Sequence, residues 1–257
     1  MKTDYILKAV FLIFLTAGLF MACASEDQQE QRAETQTEEV PLNTLTDEEV
    51  AEGWILMFDG ETTEGWRGYG QESFPESGWV IEDGTLQVIG GERPGDIIYD
   101  QKFQNFRLSL EWKVSEAANS GIFYLAQELE GRPIWHSAPE MQVLDNERHP
   151  DADQGVDGNR KAGSLYDLIP ADPQNTNPAG EWNHAEVLVH RGTVVHFQNG
   201  EQVLEYQLGT PAWDEMIANS KFADIADVFG NYEPGYIGLQ DHNDDVWFRN
   251  IKIRNLD

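Results

Sequence analysis

The chain reads Phe106-Arg107-Leu108-Ser109-Leu110-Glu111-Trp112-Lys113-Val114 near its middle, an unbroken alternation of apolar and polar side chains. Successive side chains of a β-strand point to opposite faces, so the apolar groups of this segment share one face. Such a strand is typical of an antiparallel sheet that is polar on one side and covers a core with the other. The segment therefore predicts a strand whose apolar face packs on a hydrophobic core.

Segments of the same kind lie on both sides of it, and turn residues separate them. Glu82-Asp83-Gly84 and Asn199-Gly200 each predict a hairpin. Only the segment 212–222 has helical character. Many strands with little helix predict an all-β fold, a jelly-roll sandwich of two antiparallel sheets with one short helix. The predicted strands are 79–81, 85–88, 106–114, 121–125, 186–190, 194–197, 203–206, 236–240 and 246–253.

The composition limits the classes of partner. The 257 residues include 46 Asp and Glu but 17 Lys and Arg, which gives a formal net charge of −29. This balance argues against nucleic-acid binding and against docking on anionic lipid, because both need clustered cations. Aromatic residues make up 11% of the chain, which predicts a folded core. The single cysteine excludes an intramolecular disulfide and a cysteine-rich zinc site.

The N-terminal segment 1–23 is interpreted as a bacterial lipoprotein signal peptide. Lys2 and Lys8 flank the start of an apolar run that is too short for a comfortable membrane span and ends at Cys23. Lipidation of Cys23 would hold the protein to a membrane by acyl chains alone. The predicted location is the bacterial cell envelope, either periplasmic or at the cell surface. The alternative is an ordinary cleaved signal peptide with an incidental cysteine.

Residues 24–52 are interpreted as an acidic disordered tether. They contain ten acidic residues, one basic residue and no aromatic residue, so they cannot bury enough apolar surface to fold. The predicted domain then spans residues 53–257. It keeps 35 acidic and 14 basic residues, and its net charge is −21.

The segment Glu140-Met141-Gln142-Val143-Leu144-Asp145-Asn146 carries candidate catalytic groups. On a strand, Glu140 and Gln142 share one face and lie about 7 Å apart. A one-residue bulge after Val143 would return Asp145 to the same face. Two carboxyl groups in the open hollow of a sheet can take different pKa values, so that one serves as a base and the other as an acid.

Polar and aromatic side chains also flank this segment. Their clustering at one strand end favours the lip of a binding site, although a solvated polar strand face is the alternative. The candidate substrate-binding residues in this region are Trp135, Gln142, Asn146 and His149.

A second cluster lies near the C-terminus and contains Gln240, His242 and Arg249. His242 can move protons near neutral pH, and Arg249 can hold an oxyanion without titrating. The alternative is a tight turn over residues 241–245 that closes a hairpin and exposes His242. Tyr166 is a further candidate, which either donates to a sugar oxygen or packs.

A metal site is left open by the sequence. The side chains that offer nitrogen or oxygen ligands are His136, Glu140, Asp145, His149 and Asp151. Their spacing lacks the His-Glu-x-x-His pattern, and no EF-hand loop is present. No cofactor is therefore predicted, and a divalent cation stays an open alternative.

Motifs that run in order through residues 53–257 resemble those of a bacterial family, the 3-keto-disaccharide hydrolase domain, formerly a domain of unknown function. The resemblance implies a concanavalin-like jelly roll and the cleavage of glycosides already oxidised at C3 of the sugar. The matching stretches include Gly53-Trp54-Ile55-Leu56-Met57-Phe58-Asp59-Gly60, Asn119-Ser120-Gly121-Ile122-Phe123, Glu140-Met141-Gln142-Val143-Leu144-Asp145-Asn146, Gly163-Ser164-Leu165-Tyr166-Asp167-Leu168, Gly180-Glu181-Trp182-Asn183 and Leu239-Gln240-Asp241-His242.

The chemistry of such a substrate suggests roles for the candidate residues. A C3 ketone acidifies the C2 hydrogen, so a base can form an enolate, an acid can assist departure of the C1 group, and water can then add. Glu140 or Asp145 is expected as the base, with the other carboxyl group or His242 as the acid. Arg249 is the expected oxyanion partner. The expected sugar-binding residues are Gln142, Gln240 and Tyr166.

Two other functions stay open at this point. One is an ordinary glycosidase that cleaves unmodified glucans with two carboxyl groups, although the short side chain of Asp145 makes the approach of a retaining pair, about 5 Å, harder. The other is a non-catalytic lipoprotein that binds carbohydrate with aromatic and amide side chains.

Overall fold

The alternating segment is a strand with the predicted bounds, Phe106–Val114, in a computed structural model that describes residues 40–257. Every second side chain in it, beginning with Phe106, is buried. The predicted signal peptide 1–23 with its lipidation site Cys23, and the tether residues 24–39, lie outside the described residues.

The strands of residues 40–257 form two antiparallel sheets, which confirms the predicted sandwich. The first sheet has eight strands in the order β11-β10-β9-β6-β13-β4-β3, with β1 paired to β13. The second has five strands in the order β2-β5-β12-β7-β8. In chain order the strands are β1 (Trp54–Leu56), β2 (Trp66–Gly68), β3 (Trp79–Glu82), β4 (Thr85–Val88), β5 (Ile97–Phe103), β6 (Phe106–Val114), β7 (Asn119–Ala126), β8 (Glu140–Leu144), β9 (Asn183–His190), β10 (Thr193–Gln198), β11 (Glu201–Gln207), β12 (Gly235–Leu239) and β13 (Val246–Asn255).

The main core lies between the two sheets. The apolar face of β6 shares one buried cluster with Ile122 and Tyr124 of β7 and with Met141 and Val143 of β8. Apolar surface removed from water in this way stabilises the fold by roughly 25 cal/mol per Å². Because Met141 and Val143 face the core, Glu140 and Gln142, which alternate with them in β8, point to the outer face of the five-stranded sheet.

A smaller apolar cluster covers part of that outer face. It contains Ile98, Phe123, Ala126, Ile134 and Ala138. All residues of β7 are buried, since one of its faces meets the main core and the other is covered from outside. The outer face of this sheet is therefore partly desolvated, and a polar side chain there lies in a less watery environment than on an open sheet.

Both predicted hairpins are confirmed. β3 pairs with β4, and β10 pairs with β11. The turn residues Asp83, Gly84, Asn199 and Gly200 all have positive φ. Positive φ at both central residues gives the mirror-image turn that matches the twist of the flanking strands.

The segment after β12 does not close a hairpin. β12 belongs to the five-stranded sheet and β13 to the eight-stranded sheet, so residues 240–245 cross from one sheet to the other. The interpretation of 241–245 as a hairpin turn is therefore wrong. This crossing carries Arg249 into a different sheet from the strand that precedes His242.

Two α-helices occur in residues 40–257, α1 (Asp47–Glu52) and α2 (Pro211–Ala218). The second overlaps the predicted helical segment 212–222. Within the described part of the chain, no helix combines the length and apolar character needed to span a bilayer.

Residues 40–52 are folded, which corrects the predicted tether boundary at Gly53. Thr46 and Glu49 form a reciprocal capping box at the start of α1. Glu49 pairs with Lys252 of β13, and Asn43 and Asn250 exchange hydrogen bonds of 2.7 and 2.8 Å. The sequence did not reveal this because polar contacts to the far end of the chain, not apolar burial, hold the segment.

A buried hydrogen-bond chain connects the core to the loop that follows β8. The Gly163 carbonyl can only accept, so His196 carries its proton on Nδ1 and donates to that carbonyl at 3.0 Å. His196 Nε2 then accepts from Tyr124 at 2.8 Å, and Tyr124 accepts from Tyr206 at 2.7 Å. Burial lowers the pKa of His196 to about 4, so the ring is neutral at pH 7. Gly163 in turn donates to the Gln142 carbonyl at 2.8 Å, which fixes this loop against β8.

Leu110→Ala is expected to lower the free energy of unfolding by about 3 kcal/mol, because the fully buried side chain leaves a cavity between the sheets. The control is Arg107→Ala, at an exposed position of the same strand, with an expected loss below about 1 kcal/mol. Denaturant titration measures both values. Equal losses in the two variants would contradict the placement of the core.

Candidate active site

A pocket of about 380 Å³ opens on the outer face of the five-stranded sheet. Its volume is in the range of small-molecule sites. Six residues that the sequence predicted as site residues meet here, together with three that it did not. The lining consists of the predicted Trp135, Glu140, Gln142, Tyr166, Gln240 and His242, and of Asn119, Lys221 and Phe222.

Glu140 lies against the neighbouring strand β7. Regular antiparallel pairing sets Glu140 opposite Phe123 and Gln142 opposite Gly121. A Cβ atom at position 121 would overlap the Glu140 carboxyl group, so the glycine makes room for it. Gly121 thus explains part of the Asn119-Ser120-Gly121 motif, since it lets a carboxyl group lie directly on the sheet.

The carboxyl group of Glu140 is a weak acid in this position. Burial raises the pKa of Glu140 to about 8, with Lys221 opposing the rise and Asp96 and Asp151 adding to it. Glu140 is therefore mainly protonated at neutral pH. A buried, protonated carboxyl group is suited to donate a proton or a hydrogen bond to a reacting oxygen.

Amide groups of the pocket stand next to this acid. With its amide nitrogen directed at the surrounding acceptors, Gln142 donates to Glu140 Oε1 at 3.0 Å and to the Ser120 carbonyl at 3.2 Å. Gln240 Oε1 is buried without a hydrogen-bond donor in residues 40–257. Because an unsatisfied buried acceptor is costly, this oxygen is ready to accept from a ligand hydroxyl.

A wall of the pocket is formed by Tyr166, Lys221 and Phe222, and the Tyr166 backbone N–H donates to the Glu140 carbonyl at 3.0 Å. The Tyr166 hydroxyl donates to Asp151 Oδ2 at 2.8 Å, and Arg160 Nη1 contacts the other Asp151 oxygen at 3.0 Å. Burial opposes ionisation of Asp151, but these two hydrogen bonds outweigh it and lower the pKa of Asp151. Lys221 Nζ lies 3.9 Å from the centroid of the Tyr166 ring.

Two histidines meet at the pocket rim. The rings of His149 and His242 lie 6.1 Å apart between centroids, and Asp244 Oδ2 is 3.8 Å from His242 Nδ1. Ligand atoms of these three residues lie within 4.8 Å of one another, so they form a candidate cation group.

The hydrogen bonding of His149 does not fit a metal ligand. Its Nδ1 accepts from the Asp151 backbone N–H at 3.1 Å, so the neutral ring carries its proton on Nε2. Neither nitrogen then offers a free lone pair unless this cap on the 3-10 turn Pro150–Asp153 breaks. Of the ligands predicted from sequence, only His149 belongs to the rim group, and we assign no cation to it.

Asp145 does not join Glu140 in the pocket lining. The pairing of β7 with β8 is regular up to Leu144, so the predicted bulge is wrong. The Asp145 carboxyl group instead accepts from the backbone N–H groups of Ala117 at 2.8 Å and Glu147 at 3.1 Å. It follows the strand directly and holds the adjoining turns, which explains its burial without a ligand.

Asn146 also lies outside the pocket lining, and its amide group holds the surrounding loops together. Its Oδ1 accepts from the Ala162 backbone at 2.8 Å, and its Nδ2 lies 3.2 Å from acceptors on both Gln174 and Thr176. These bonds use the amide fully, so the structure does not place Asn146 among the residues that contact a ligand.

Arg249 lies on the outer face of the eight-stranded sheet, which contradicts its predicted place in the pocket. Its Nε is 2.6 Å from Glu111 Oε2, and its guanidinium lies 3.9 Å from the Trp182 ring centroid. The crossing over residues 240–245 is the reason, because it moves β13 away from the site.

Sequence reasoning missed Lys221, Phe222 and Asn119. Lys221 and Phe222 follow α2 and reach the pocket only through the tertiary fold, so no local spacing pointed to them. Asn119 lies two positions before Gly121 in the motif Asn119-Ser120-Gly121, and that proximity was the available signal.

Comparison with known proteins supports the family resemblance. Residues 53–254 match a family model described as the 3-keto-alpha-glucoside-1,2-lyase-like domain. A Bacteroides thetaiotaomicron protein named 3-keto-disaccharide hydrolase is 45% identical, and the match covers 95% of this chain and 96% of that protein.

Solved structures agree with this relationship. A crystal structure of a candidate glycosyl hydrolase from Parabacteroides distasonis has a TM-score of 0.77 and 32% identity, over 84% of this chain and 100% of that one. A second one from the same organism has a TM-score of 0.59 and 25% identity, over 79% of this chain and 99% of that one. By the extent of the family match and the identity to the Bacteroides relative, the chain belongs to the 3-keto-alpha-glucoside-1,2-lyase-like domain family.

Proposed function

We propose that this chain cleaves 3-keto-disaccharides and related glycosides, with water as the second substrate. The observation that carries the proposal is the buried carboxyl group of Glu140 in a sugar-sized pocket, held mainly in its acid form at neutral pH. The name of the Bacteroides relative and the description of the family support the same substrate class.

Elimination followed by hydration is the chemistry we assign. A base removes the proton on C2, which the C3 ketone acidifies, and leaves an enolate. The enolate expels the C1 group, which takes up a proton, and a double bond forms between C1 and C2. Water then adds its hydroxyl group to C1 and its hydrogen to C2. The net reaction is hydrolysis, and its first half alone is that of a 1,2-lyase.

The pocket residues divide between these steps. The raised pKa of Glu140 favours the acid role, which the sequence had left open between base and acid. His242 is then the proposed base, and its position at the rim lets it exchange protons with solvent. Gln142, Gln240 and Tyr166 are proposed to hold the sugar oxygens.

An ordinary two-carboxylate glycosidase is not favoured. Retaining enzymes need a second carboxyl group about 5 Å from the first, and inverting enzymes place it at roughly 6.5–9.5 Å. Glu140 is the one carboxyl group among the described residues that line the pocket. Asp145, the expected partner, is bound to backbone N–H groups instead.

The first test compares a plain β-glucoside with its 3-oxidised counterpart. We expect turnover of the 3-keto substrate alone, accompanied by exchange of the C2 hydrogen in D₂O. Glu140→Gln should lower kcat by roughly 10²–10⁴-fold, because a positioned proton donor is lost. The control Glu186→Gln, in the other sheet, should keep the wild-type rate.

Turnover of the plain glucoside would contradict the proposal and favour the glycosidase. Binding of both sugars without turnover would favour the non-catalytic function.

The second test uses pH. Since Glu140 is protonated in the fold up to about pH 8 but ionises near pH 4.5 when unfolded, the folded state holds more protons between these values. Rising pH should therefore destabilise the fold, by at most about 1.4 kcal/mol per pH unit. The melting temperature of wild type should fall relative to Glu140→Gln from pH 5 to 8. If the melting temperatures of the two proteins changed equally with pH, the pKa of Glu140 would not be raised in the fold.

We also propose that the chain is a lipoprotein of the bacterial cell envelope. The basis is the apolar N-terminal run that ends at the single cysteine, Cys23. Wild type expressed in a bacterial host should incorporate labelled palmitate and sediment with membranes. Cys23→Ser should lose both properties, because acyl chains are the proposed anchor. An unlabelled, soluble wild type would favour the ordinary cleaved signal.

A further inference from the structure

Lys221 provides the positive charge of the pocket. Among the described lining residues, it is the one lysine or arginine. It lies on the wall formed with Tyr166 and Phe222, and its charge acts on Glu140 strongly enough to oppose the rise in the pKa of that acid. Lys221 therefore lies within electrostatic reach of the proposed reaction centre.

The surroundings of Lys221 act on its charge in opposite directions. Burial, together with the charge of Arg160, lowers the pKa of Lys221 below its usual value, and the charges of Asp167, Glu140 and Asp151 offset this only in part. The residue remains exposed at the mouth of the pocket, so water still reaches its amine. The Tyr166 ring face at 3.9 Å adds a cation–π contact that is stronger for the ammonium form.

A short network fixes this wall. Tyr166 is tied through its hydroxyl to Asp151, and Arg160 contacts Asp151 and Asp167. The tyrosine ring therefore has one defined orientation, and Lys221 rests on it. A preorganised cation of this kind costs little reorganisation when charge develops beside it.

The proposed reaction needs such a cation. A neutral keto sugar becomes an enolate with its negative charge mainly on the C3 oxygen, in a folded part (residues 40–257) whose net charge is −25 from 39 acidic and 14 basic residues. We propose that the Lys221 ammonium group binds the C3 oxygen of the substrate and stabilises the enolate. This inference rests on the proposed function and adds the residue that binds the oxyanion. The sequence had predicted Arg249 for that role.

A covalent role for the same lysine is the competing chemistry. A neutral amine would attack the C3 ketone, release water and form an iminium ion, which also acidifies the C2 hydrogen. That route needs the free lone pair of the amine, which the ammonium form lacks. The two roles differ in one product, because only an iminium ion is trapped by cyanoborohydride as a stable amine adduct.

The experiment compares wild type, Lys221→Met, Lys221→Arg and the control Lys102→Met, a surface lysine of β5 outside the pocket. For a 3-keto glucoside we expect Lys221→Met to lower kcat by about 10²–10³-fold with a smaller change in KM, because the contact is strongest in the transition state. Lys221→Arg should recover part of the rate, and Lys102→Met should match wild type. Exchange of the C2 hydrogen should fall in parallel with kcat.

The outcomes separate this inference from the proposed function. Melting temperatures that match wild type show that Lys221→Met is folded. If methionine disturbs the wall, Lys221→Gln, which also removes the charge, takes its place in the comparison. Active wild type with an equally active Lys221→Met would overturn the role of Lys221 alone. A cyanoborohydride adduct on Lys221 would replace it with the covalent role. A wild type inactive on every 3-keto glucoside would instead overturn the proposed function, and this inference with it.

Discussion

The Glu140 carboxyl group rests against the backbone of β7, at the one position where the opposing strand offers no side chain. Gly121 creates that space, and regular pairing of β7 with β8 brings the two strands into this register. A one-residue slip would turn Glu140 into the core and Met141 out to the pocket, because strand side chains alternate. The chemistry of the pocket therefore depends on the same register that completes the core.

Burial at this position determines what the carboxyl group can do. An exposed glutamate would be ionised at pH 7 and could serve as a base. The partly covered outer face of the five-stranded sheet disfavours the charged form, and the pKa of Glu140 rises to about 8. The amide of Gln142, 3.0 Å away, can hydrogen-bond to the carboxyl group in either state. Burial at a single position of the fold thus keeps a common acidic residue mainly protonated at neutral pH, as the proposed proton donor requires.

The sequence was sufficient wherever a short-range rule governed the structure. Two-residue alternation predicted the bounds of β6, and Asn199-Gly200 predicted a hairpin, because both depend on local geometry. The shared face of Glu140 and Gln142 followed from the same rule. Sequence reasoning failed at Asp145, because the chain leaves the strand there and backbone donors take up the carboxyl group.

Longer-range contacts were beyond such rules. Lys221 is 81 positions from Glu140 in the sequence and reaches the pocket only through packing of the segment after α2. Arg249 appeared close to His242 in sequence, but the crossing between sheets separates them. Residues 40–52 looked like a tether because their composition is acidic, yet Glu49 and Asn43 find specific polar partners on β13.

The strong acidity of the domain and the chemistry of the pocket fit together on physical grounds. A neutral sugar is not repelled by a folded part (residues 40–257) of charge −25, with 39 acidic and 14 basic residues, so binding does not require a basic surface. In the proposed mechanism, negative charge develops only when the C2 proton leaves, and the surrounding carboxylates then oppose the reaction. A second ionised carboxylate in the pocket would increase this opposition. A carboxyl group in its neutral form and the lysine side chain of the same pocket act in the reverse direction. This contrast between the pocket and its surroundings fits the proposed enolate mechanism better than one that relies on a pair of carboxylates.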